Sequence, residues 1–238
     1  MGKNAIVLCS GGLDSVVTSY YVRKKYNKII ILFFNYNQRS LIEERKSSKK
    51  CAKELGAEFR EIELKWLGDI SGSLINKKGK IGKMQRADLK DTKKESEKFY
   101  VPCRNTIFLT YALALAESLM IKEKEKYNVF VGFKCEGSES YPDTTPKFVS
   151  EMNKLSKIST KGFKIIAPLI EMDKEDIVLL GRKLGVDLGN TFSCYAPKNG
   201  KQCGFCLACM LRKQGFYWAG IEDGTEYWQQ SKILSAIG

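Results

Sequence analysis

Two stretches of the 238-residue chain carry residue types that could do chemistry. Near the start, the segment SGGLDS occupies residues 10–15, directly after a short apolar run. Near the end, four of the eight cysteines fall between residues 194 and 209. The chain has no histidine, which excludes a Ser-His-Asp triad, a Cys-His nucleophile pair and an imidazole metal ligand. Acid–base chemistry must therefore come from carboxylates, Lys, Tyr, Cys or the substrate itself.

The SGGLDS segment has the composition of a loop that holds phosphate. Gly11 and Gly12 let the backbone approach an anion closely, and a following helix offers free N–H groups at its N-terminus. Ser10 and Ser15 add hydroxyl donors, and Asp14 could hold the Mg²⁺ that a polyphosphate brings. Neither the Walker pattern nor the dinucleotide-binding glycine pattern is present. The alternative is a plain tight turn.

The cysteine cluster offers four thiolates, the number that a tetrahedral zinc site takes. In a reducing cytosol, clustered cysteines more often bind metal or do chemistry than form structural disulfides. A closed four-cysteine site leaves no open position for a substrate, so we expect a structural zinc ion. An iron–sulfur cluster is the alternative. The ligands would be Cys194, Cys203, Cys206 and Cys209.

Apolar runs alternate with amphipathic segments along the chain. The strands and helices that they predict would position the SGGLDS segment and the cysteine cluster. This order predicts an α/β fold, with a parallel five-stranded sheet and helices on both faces. Residues 10–15 then follow the first strand, where open α/β sheets bind ligands. The glycine-containing, highly charged residues 77–98 should form a long exposed loop, either a lid or a solvated insertion. The predicted strands are 4–9, 28–34, 59–64, 127–132 and 163–167, and the predicted helices are 14–26, 42–55, 104–118, 146–159 and 173–184.

The formal charge of +13 could indicate a nucleic-acid or anionic partner. Arg is scarce beside Lys and the lysines are scattered, so we attribute the charge to a lysine-rich composition. No signal peptide is visible, and no stretch reaches the about 20 apolar residues that a membrane span needs. We therefore expect a cytoplasmic protein without membrane contact.

The segment at residues 10–15 resembles the PP-loop of the ATP pyrophosphatase superfamily, whose members split ATP into AMP and pyrophosphate and adenylate a substrate. Further segments narrow the resemblance to the 7-cyano-7-deazaguanine synthase family, in order and spacing over about the whole chain. The segment at residues 215–221 looks closest to archaeal members. The segments are FNYNQR (34–39), VPCRNTIFL (101–109), SYPD (140–143) and the cysteine segment (193–216).

This resemblance implies a Rossmann-like fold of the HUP (adenine nucleotide alpha hydrolase-like) type. It further implies a nucleotide-binding domain at residues 1–188 and a zinc-binding segment at residues 189–238. The cofactors would be ATP, Mg²⁺ and structural Zn²⁺, and family members are commonly homodimers.

The activity implied by the resemblance is that of a carbon–nitrogen ligase in queuosine or archaeosine biosynthesis. The carboxylate of 7-carboxy-7-deazaguanine is adenylated, ammonia displaces AMP to give the amide, and a second activation dehydrates the amide to the nitrile. Such an enzyme mainly positions its reactants, neutralises phosphate charge and excludes water. Ammonia is its own nucleophile, so no histidine is needed. Nucleic acid is not expected as a direct substrate.

The resemblance also assigns roles to single residues. Arg104 could clamp a phosphate or carboxylate, or form a structural ion pair. Tyr36 or Tyr141 could stack on a purine-like ring, or belong to the edge of the core. Asp143 could accept hydrogen bonds from the deazaguanine, or be a turn residue. The implied catalytic residues are Asp14, Ser15 and Arg104; the ATP-binding residues are Leu8, Cys9, Ser10, Gly11, Gly12, Leu13, Asp14, Ser15, Val16, Tyr36, Gln38 and Arg39; the substrate-binding residues are Arg104, Asn105, Glu136, Tyr141 and Asp143.

The loop before Tyr141 departs from the family pattern. It is one residue shorter, has Ser140 where glycine is usual and lacks the usual Asp, for which Glu136 or Glu139 could substitute. These differences leave the exact substrate open. The other functions to consider are sulfur transfer to tRNA through a reactive cysteine, attachment of a deazaguanine to a protein or other target, and a non-catalytic zinc module that binds nucleic acid.

Overall fold

The computed structural model describes residues 4–134 and 141–228. Within these ranges, five strands form one sheet in the order β3-β2-β1-β4-β5, and all neighbouring strands are parallel. The predicted parallel sheet is confirmed. The strands are β1 (Asn4–Leu8), β2 (Lys28–Asn35), β3 (Glu58–Glu63), β4 (Tyr127–Val131) and β5 (Ile165–Ile166).

The helices follow the predicted order, with three additions. Helix α6 begins and ends at the predicted residues, because Pro146 suits a first helical turn and the Thr145 hydroxyl accepts the Phe148 N–H at 3.2 Å. Helices α3, α4 and α8 have no counterpart among the predicted helices. The helices are α1 (Leu13–Arg23), α2 (Leu41–Glu54), α3 (Lys65–Ile70), α4 (Lys93–Glu97), α5 (Arg104–Glu123), α6 (Pro146–Ser159), α7 (Lys174–Leu184) and α8 (Leu207–Trp218).

Both faces of the sheet are covered, as the alternation of side chains along a strand requires. In β1, Ala5 and Val7 pack against α1, α2 and α7, whereas Ile6 and Leu8 face α5, α6 and the start of α8. The prediction of helices on both faces is confirmed. The four clustered cysteines belong to the same apolar cluster as Ile6 and Leu8, so the C-terminal segment packs directly on the sheet domain.

The strand order reverses at β1, which lies between β2 and β4. Such a switch point opens a crevice at the carboxyl ends of the strands. Gly132, just after β4, lets α1 approach this edge closely, because a Cβ there would lie 2.9 Å from the backbone of Asp14. The fold therefore brings the end of β4 against the loop that follows β1.

Residues 77–98 are more ordered and more buried than expected. A 3₁₀ turn at Arg86–Lys90 and helix α4 lie within them, and the side chains of Ile81 and Met84 are buried. The Met84 N–H donates to the Phe205 carbonyl at 3.0 Å, which ties the segment to the start of α8. Most residues of the segment are exposed, as expected, but the segment is not a plain loop, since a few apolar residues dock it against the domain. In the described part of the chain, no helix is long and apolar enough to cross a membrane.

Candidate active site

A cavity of about 330 Å³ opens at the carboxyl ends of β1, β2 and β4. This volume lies in the range of small-molecule sites. Most of the predicted site residues line it. They are Leu8, Cys9, Ser10, Gly12, Leu13, Asp14, Ser15, Tyr36, Gln38, Arg104, Asn105 and Tyr141.

Other predicted site residues do not line the cavity. Val16 is buried in the apolar cluster on the opposite face of the sheet. Arg39 is exposed, and its guanidinium donates to the Gly79 carbonyl at 3.1 Å. Glu136 lies outside the described residues. Val16 lies within helix α1, where neighbouring residues face different directions, so its place beside the loop at residues 10–15 does not bring it to the cavity.

Asp143 lies beside the cavity wall and acts there through its backbone. Its carbonyl accepts the Asn105 side-chain amide at 3.3 Å. Burial raises the pKa of the Asp143 carboxyl, and the charge of Arg104 opposes this shift. Asp143 thus lies close enough to Arg104 to feel its charge, but it does not line the cavity.

Helix α2 packs against the loop at residues 10–15 (the phosphate loop) and hydrogen-bonds to the backbone at this loop. Gly11 has a φ of +83°, and a Cβ there would lie 2.6 Å from the Glu44 carbonyl, so only glycine fits this turn. The hydroxyl of Ser47 donates to the Gly11 carbonyl at 2.7 Å, and that of Ser48 donates to the Cys9 carbonyl at 2.9 Å. Carbonyl oxygens that would repel an anion are therefore bound by α2, although Gly11 itself lies behind the cavity wall.

The residues just before the cysteine cluster hold the same loop from its other side. The Phe192 N–H donates to the Gly11 carbonyl at 2.8 Å, and the Ser193 hydroxyl accepts the Leu13 N–H at 3.4 Å. Phe192 and Ser193 both line the cavity. The C-terminal segment is therefore part of the wall of the site.

Asp14 and Lys174 form an ion pair at the cavity wall. The Lys174 ammonium lies 2.9 and 2.7 Å from the two carboxylate oxygens. Helix α8 packs closely on the stem of this lysine, since a Cβ at Gly215 would lie 2.3 Å from Lys174 Cγ. Lys174 was not predicted, because it is 160 residues from Asp14 in sequence and only the parallel sheet brings α1 and α7 together.

The other end of the cavity is aromatic. The rings of Phe34 and Phe108 stack with centroids 4.0 Å apart, and Tyr36 packs edge-on against Phe108 at 5.5 Å. The Arg104 guanidinium lies 3.5 Å from the Tyr36 hydroxyl. Tyr195 also lines the cavity. Flat apolar surfaces beside one guanidinium suit a planar ring that carries an anionic group.

Glu44 is an acidic cavity residue that the sequence did not single out. Its carboxylate accepts the Ser40 hydroxyl at 2.5 Å and the Gln38 amide at 3.0 Å. Burial raises the pKa of Glu44 to about 7, although these two hydrogen bonds and the charge of Arg104 act in the opposite direction. A carboxylate with this environment is available to a ligand that brings hydrogen-bond donors.

The four cysteines of the cluster are fully buried, and their sulfur atoms lie within 4.8 Å of one another. Cys203 and Cys209 have their sulfurs 3.8 Å apart, and sulfurs bound about 2.3 Å from one zinc ion in a tetrahedron lie about 3.8 Å apart. Backbone N–H groups of Cys203 and Cys206 donate to cluster sulfurs at 3.1 and 3.2 Å, which stabilises thiolates. The cluster could therefore hold one metal ion.

The strand order, the switch-point cavity and the loop at residues 10–15 define an α/β protein of the PP-loop class. Residues 4–220 match the model of the family described as queuosine biosynthesis protein QueC. The chain belongs to this family.

Two named relatives are similar in sequence to this chain over nearly its whole length. The chain is 38% identical over 232 residues to the 7-cyano-7-deazaguanine synthase of Syntrophus aciditrophicus, covering 93% of this chain and 96% of that protein. It is 34% identical over 225 residues to the synthase of the same name from Methanothermobacter thermautotrophicus, covering 94% and 98%.

Solved structures are more distant. A predicted subunit of tRNA methyltransferase from Methanocaldococcus jannaschii aligns with a TM-score of 0.45 at 14% identity, over 97% of this chain and 94% of that one. A 4-thiouridine synthetase–RNA complex with bound ATP gives 0.46 at 16% identity, over 92% and 51%. TM-scores below 0.5 support no argument about function.

Proposed function

We propose that this protein is a carbon–nitrogen ligase that uses ATP and ammonia to convert 7-carboxy-7-deazaguanine to 7-cyano-7-deazaguanine, for queuosine or archaeosine biosynthesis. The observation that carries the proposal is one cavity in a QueC-family chain that joins a phosphate loop, the Asp14–Lys174 ion pair and an aromatic wall with a guanidinium. These are the parts needed to place a planar carboxylate against a nucleoside triphosphate.

The phosphate end of the cavity binds ATP. The N-terminus of α1 and the hydroxyls of Ser10 and Ser15 face the phosphates, and Lys174 neutralises their charge. Asp14 fits Mg²⁺, because a carboxylate is the ligand type that this ion prefers. Bound Mg²⁺ would neutralise charge on the triphosphate. When ATP binds, Lys174 moves its hydrogen bonds from Asp14 to a phosphate, and Asp14 is freed.

The aromatic end binds the deazaguanine ring. Phe34, Tyr36 and Phe108 supply flat surfaces, and Arg104 holds the carboxylate bidentately so that one of its oxygens can attack the α-phosphorus of ATP. Asn105 holds the Asp143 carbonyl and so positions the 3₁₀ turn at Pro142–Thr144, which directly follows Tyr141. Displacement of water by the bound reactants would protect the adenylate from hydrolysis.

The later steps need no nucleophilic side chain. Attack of the carboxylate on ATP releases pyrophosphate and leaves an acyl adenylate. Ammonia attacks the acyl carbon, AMP leaves and a proton is lost, which gives the amide. A second ATP adenylates the amide oxygen and releases pyrophosphate, and loss of AMP and of both amide protons gives the nitrile. The site only has to orient these groups and stabilise phosphate charge.

The cysteine cluster holds a structural zinc ion. Sulfur atoms this close together suit one tetrahedral ion, whereas the cysteines of an iron–sulfur cluster bind different iron atoms and are spread around it. Metal analysis of the purified protein tests this assignment. About one zinc per chain is expected, and a brown protein that contains iron without zinc would overturn it.

Three further properties belong to the proposal. The family resemblance implies a homodimer, and the sequence predicts a cytoplasmic protein. The chain consists of a nucleotide-binding domain at residues 1–188 and a zinc-binding segment at residues 189–238 that packs against it. Light scattering of the purified protein tests the first, and cell fractionation tests the second. Folding of a 1–188 fragment without the cysteine segment tests the third.

The decisive assay combines the protein with ATP, Mg²⁺, ammonium and 7-carboxy-7-deazaguanine and follows AMP and the mass of the product. We expect the nitrile, with the amide as an intermediate. If no AMP, amide or nitrile forms, the proposed function is wrong. AMP that forms only with tRNA and a sulfur donor would instead indicate tRNA thiolation.

A further inference from the structure

Glu44 reaches the cavity from the first turn of α2 (Leu41–Glu54). Among the described lining residues, it and Asp14 are the two acidic side chains. Both oxygens of Asp14 are bound by the Lys174 ammonium. In the described part of the wall, Glu44 is therefore the carboxylate whose partners leave room for a ligand with N–H donors.

A buried amide and a buried hydroxyl fix the position of this carboxylate. The Gln38 side-chain oxygen accepts the Tyr36 N–H at 2.9 Å, and its nitrogen donates to the Phe34 carbonyl and to Glu44, each at 3.0 Å. The backbone partners thus determine which way the amide points. Ser40 donates to the other oxygen of Glu44 at 2.5 Å. Each carboxylate oxygen accepts one bond and keeps a second acceptor position.

The surroundings of Glu44 match a planar ligand. Tyr36 and Phe34 belong to both the aromatic wall and the network around Gln38, so the carboxylate lies at the edge of the surface on which a ring would stack. Burial raises the pKa of Glu44 to about 7, because the charged form has lost water. A ligand with two N–H donors restores those lost hydrogen bonds.

Guanine-type and adenine rings differ in the hydrogen-bonding groups that they present to a carboxylate. The six-membered edge of a guanine-type ring presents a ring N–H and an exocyclic amine, which are two donors. The corresponding edge of adenine presents one donor and one acceptor. A carboxylate with two acceptor oxygens matches the guanine-type edge and not the adenine edge.

We propose that Glu44 recognises the deazaguanine substrate, with its two oxygens accepting the ring N–H and the exocyclic amine. This inference rests on the proposed function and adds a substrate-reading residue to it. The 7-carboxylate lies on the five-membered ring, away from that edge. A ring held at Glu44 therefore directs its carboxylate away from Glu44, toward the rest of the cavity.

The test compares Glu44→Gln with Glu54→Gln, a hydrogen-bonded carboxylate on the same helix that accepts the Tyr20 hydroxyl at 2.8 Å outside the cavity. Glutamine keeps the shape but replaces one acceptor by a donor. Glu44→Gln should raise the KM for 7-carboxy-7-deazaguanine about tenfold or more, as for loss of a bidentate base contact. It should leave the KM for ATP unchanged, and Glu54→Gln should leave both unchanged.

An analogue keeps the inference testable if Glu44→Gln folds poorly. Wild-type protein should bind the ring without its exocyclic amine about tenfold more weakly than the full ring, measured by calorimetry without ATP. Where Glu44→Gln is folded, its affinities for the two rings should differ less. Equal wild-type affinities, an unchanged KM in Glu44→Gln, or an increase only in the KM for ATP would each overturn the assignment. Absence of any turnover by wild-type protein would instead refute the proposed function.

Discussion

The phosphate loop at residues 10–15 and the cysteine cluster at residues 194–209 are the two places where the chain concentrates chemical groups. At the phosphate loop, hydroxyls, a carboxylate and an ammonium border an open cavity. At the cysteine cluster, four sulfurs face one another and have no exposed surface. Reactive side-chain types therefore do not by themselves mark the reacting site; access to a ligand does.

The two regions are nevertheless connected. Phe192 and Ser193, which immediately precede Cys194, bind the backbone of Gly11 and Leu13. A metal ion that fixes Cys194 thus also fixes the far wall of the phosphate loop. The comparison predicts that changes at the loop impair chemistry with the fold intact, whereas changes at the cluster impair the fold first.

Asp14→Ala should have the largest effect on activity. Loss of the carboxylate that fits Mg²⁺ should lower kcat/KM for ATP about 10³-fold, with little change in the thermal midpoint, because Asp14 is at the edge of a cavity. Steady-state AMP formation measures kcat/KM, and calorimetry measures the thermal midpoint. The exposed Asp91→Ala is the control, and the double variant Asp14→Ala/Lys174→Met also removes the charge of the lysine that pairs with Asp14. Activity within about tenfold of wild type would show that Asp14 does not take part.

Cys209→Ser should have the largest effect on stability. With three thiolates the site loses its metal, and the free energy of unfolding should fall by about 3 kcal/mol, or about 10 °C in the thermal midpoint. Metal analysis and differential scanning calorimetry test this. The exposed Cys103→Ser should keep both the metal and the midpoint. A Cys209→Ser protein that retains its metal would contradict the four-cysteine site.

Gly11→Ala should impair both activity and stability, each to a smaller extent than the two variants above. An alanine at a φ of +83° strains the backbone, and its Cβ would collide with α2. We expect a loss of about 2 kcal/mol in stability and a higher KM for ATP. Gly56→Ala is a matched control, because Gly56 also has a positive φ but has no atom within 4 Å of the added Cβ. Equal losses in the two variants would show that contact with α2 is unimportant.

Lys174→Met should have the smallest of these effects. The variant keeps the packing of the stem against α8 but removes the charge, so the KM for ATP should rise about tenfold, which corresponds to about 1.4 kcal/mol. Lys154→Met removes an exposed ion pair with Glu151 and should change nothing. An unchanged KM for ATP in Lys174→Met would mean that the lysine only neutralises Asp14.

The sheet was predictable because most of its strands are largely apolar runs between turn signals, and β3 (EFREIE) shows the alternation of a half-buried strand. Helix α7 followed from Asp173 and Gly185, which occupy its N-cap and C-cap positions. The strand β5 is shorter than predicted, Ile165–Ile166, because apolar content alone does not fix where pairing to β4 ends. Helix α8 was not predicted, because its cysteine-rich start was interpreted as a set of metal ligands and not as the beginning of a helix.

The candidate site was predictable only where its residues are close in sequence. The phosphate loop and the cysteine cluster are each one local segment; most residues of the loop line the cavity, and the four cysteine sulfurs lie together. Lys174 and Glu44 become cavity residues through the packing of α7 and α2 against the loop, and no local pattern indicates either. Val16 and Arg39 directly follow residues that line the cavity, but their own side chains do not line it. The direction of a side chain depends on the local backbone conformation.

Exchange of labelled pyrophosphate into ATP tests the central claim most directly, since it detects adenylation of the carboxylate without ammonia or product. The account predicts exchange that requires 7-carboxy-7-deazaguanine and Mg²⁺, that is lost in Asp14→Ala and that persists in Cys103→Ser. Exchange that is absent from the wild-type protein, or that proceeds equally without the carboxylate, would contradict it.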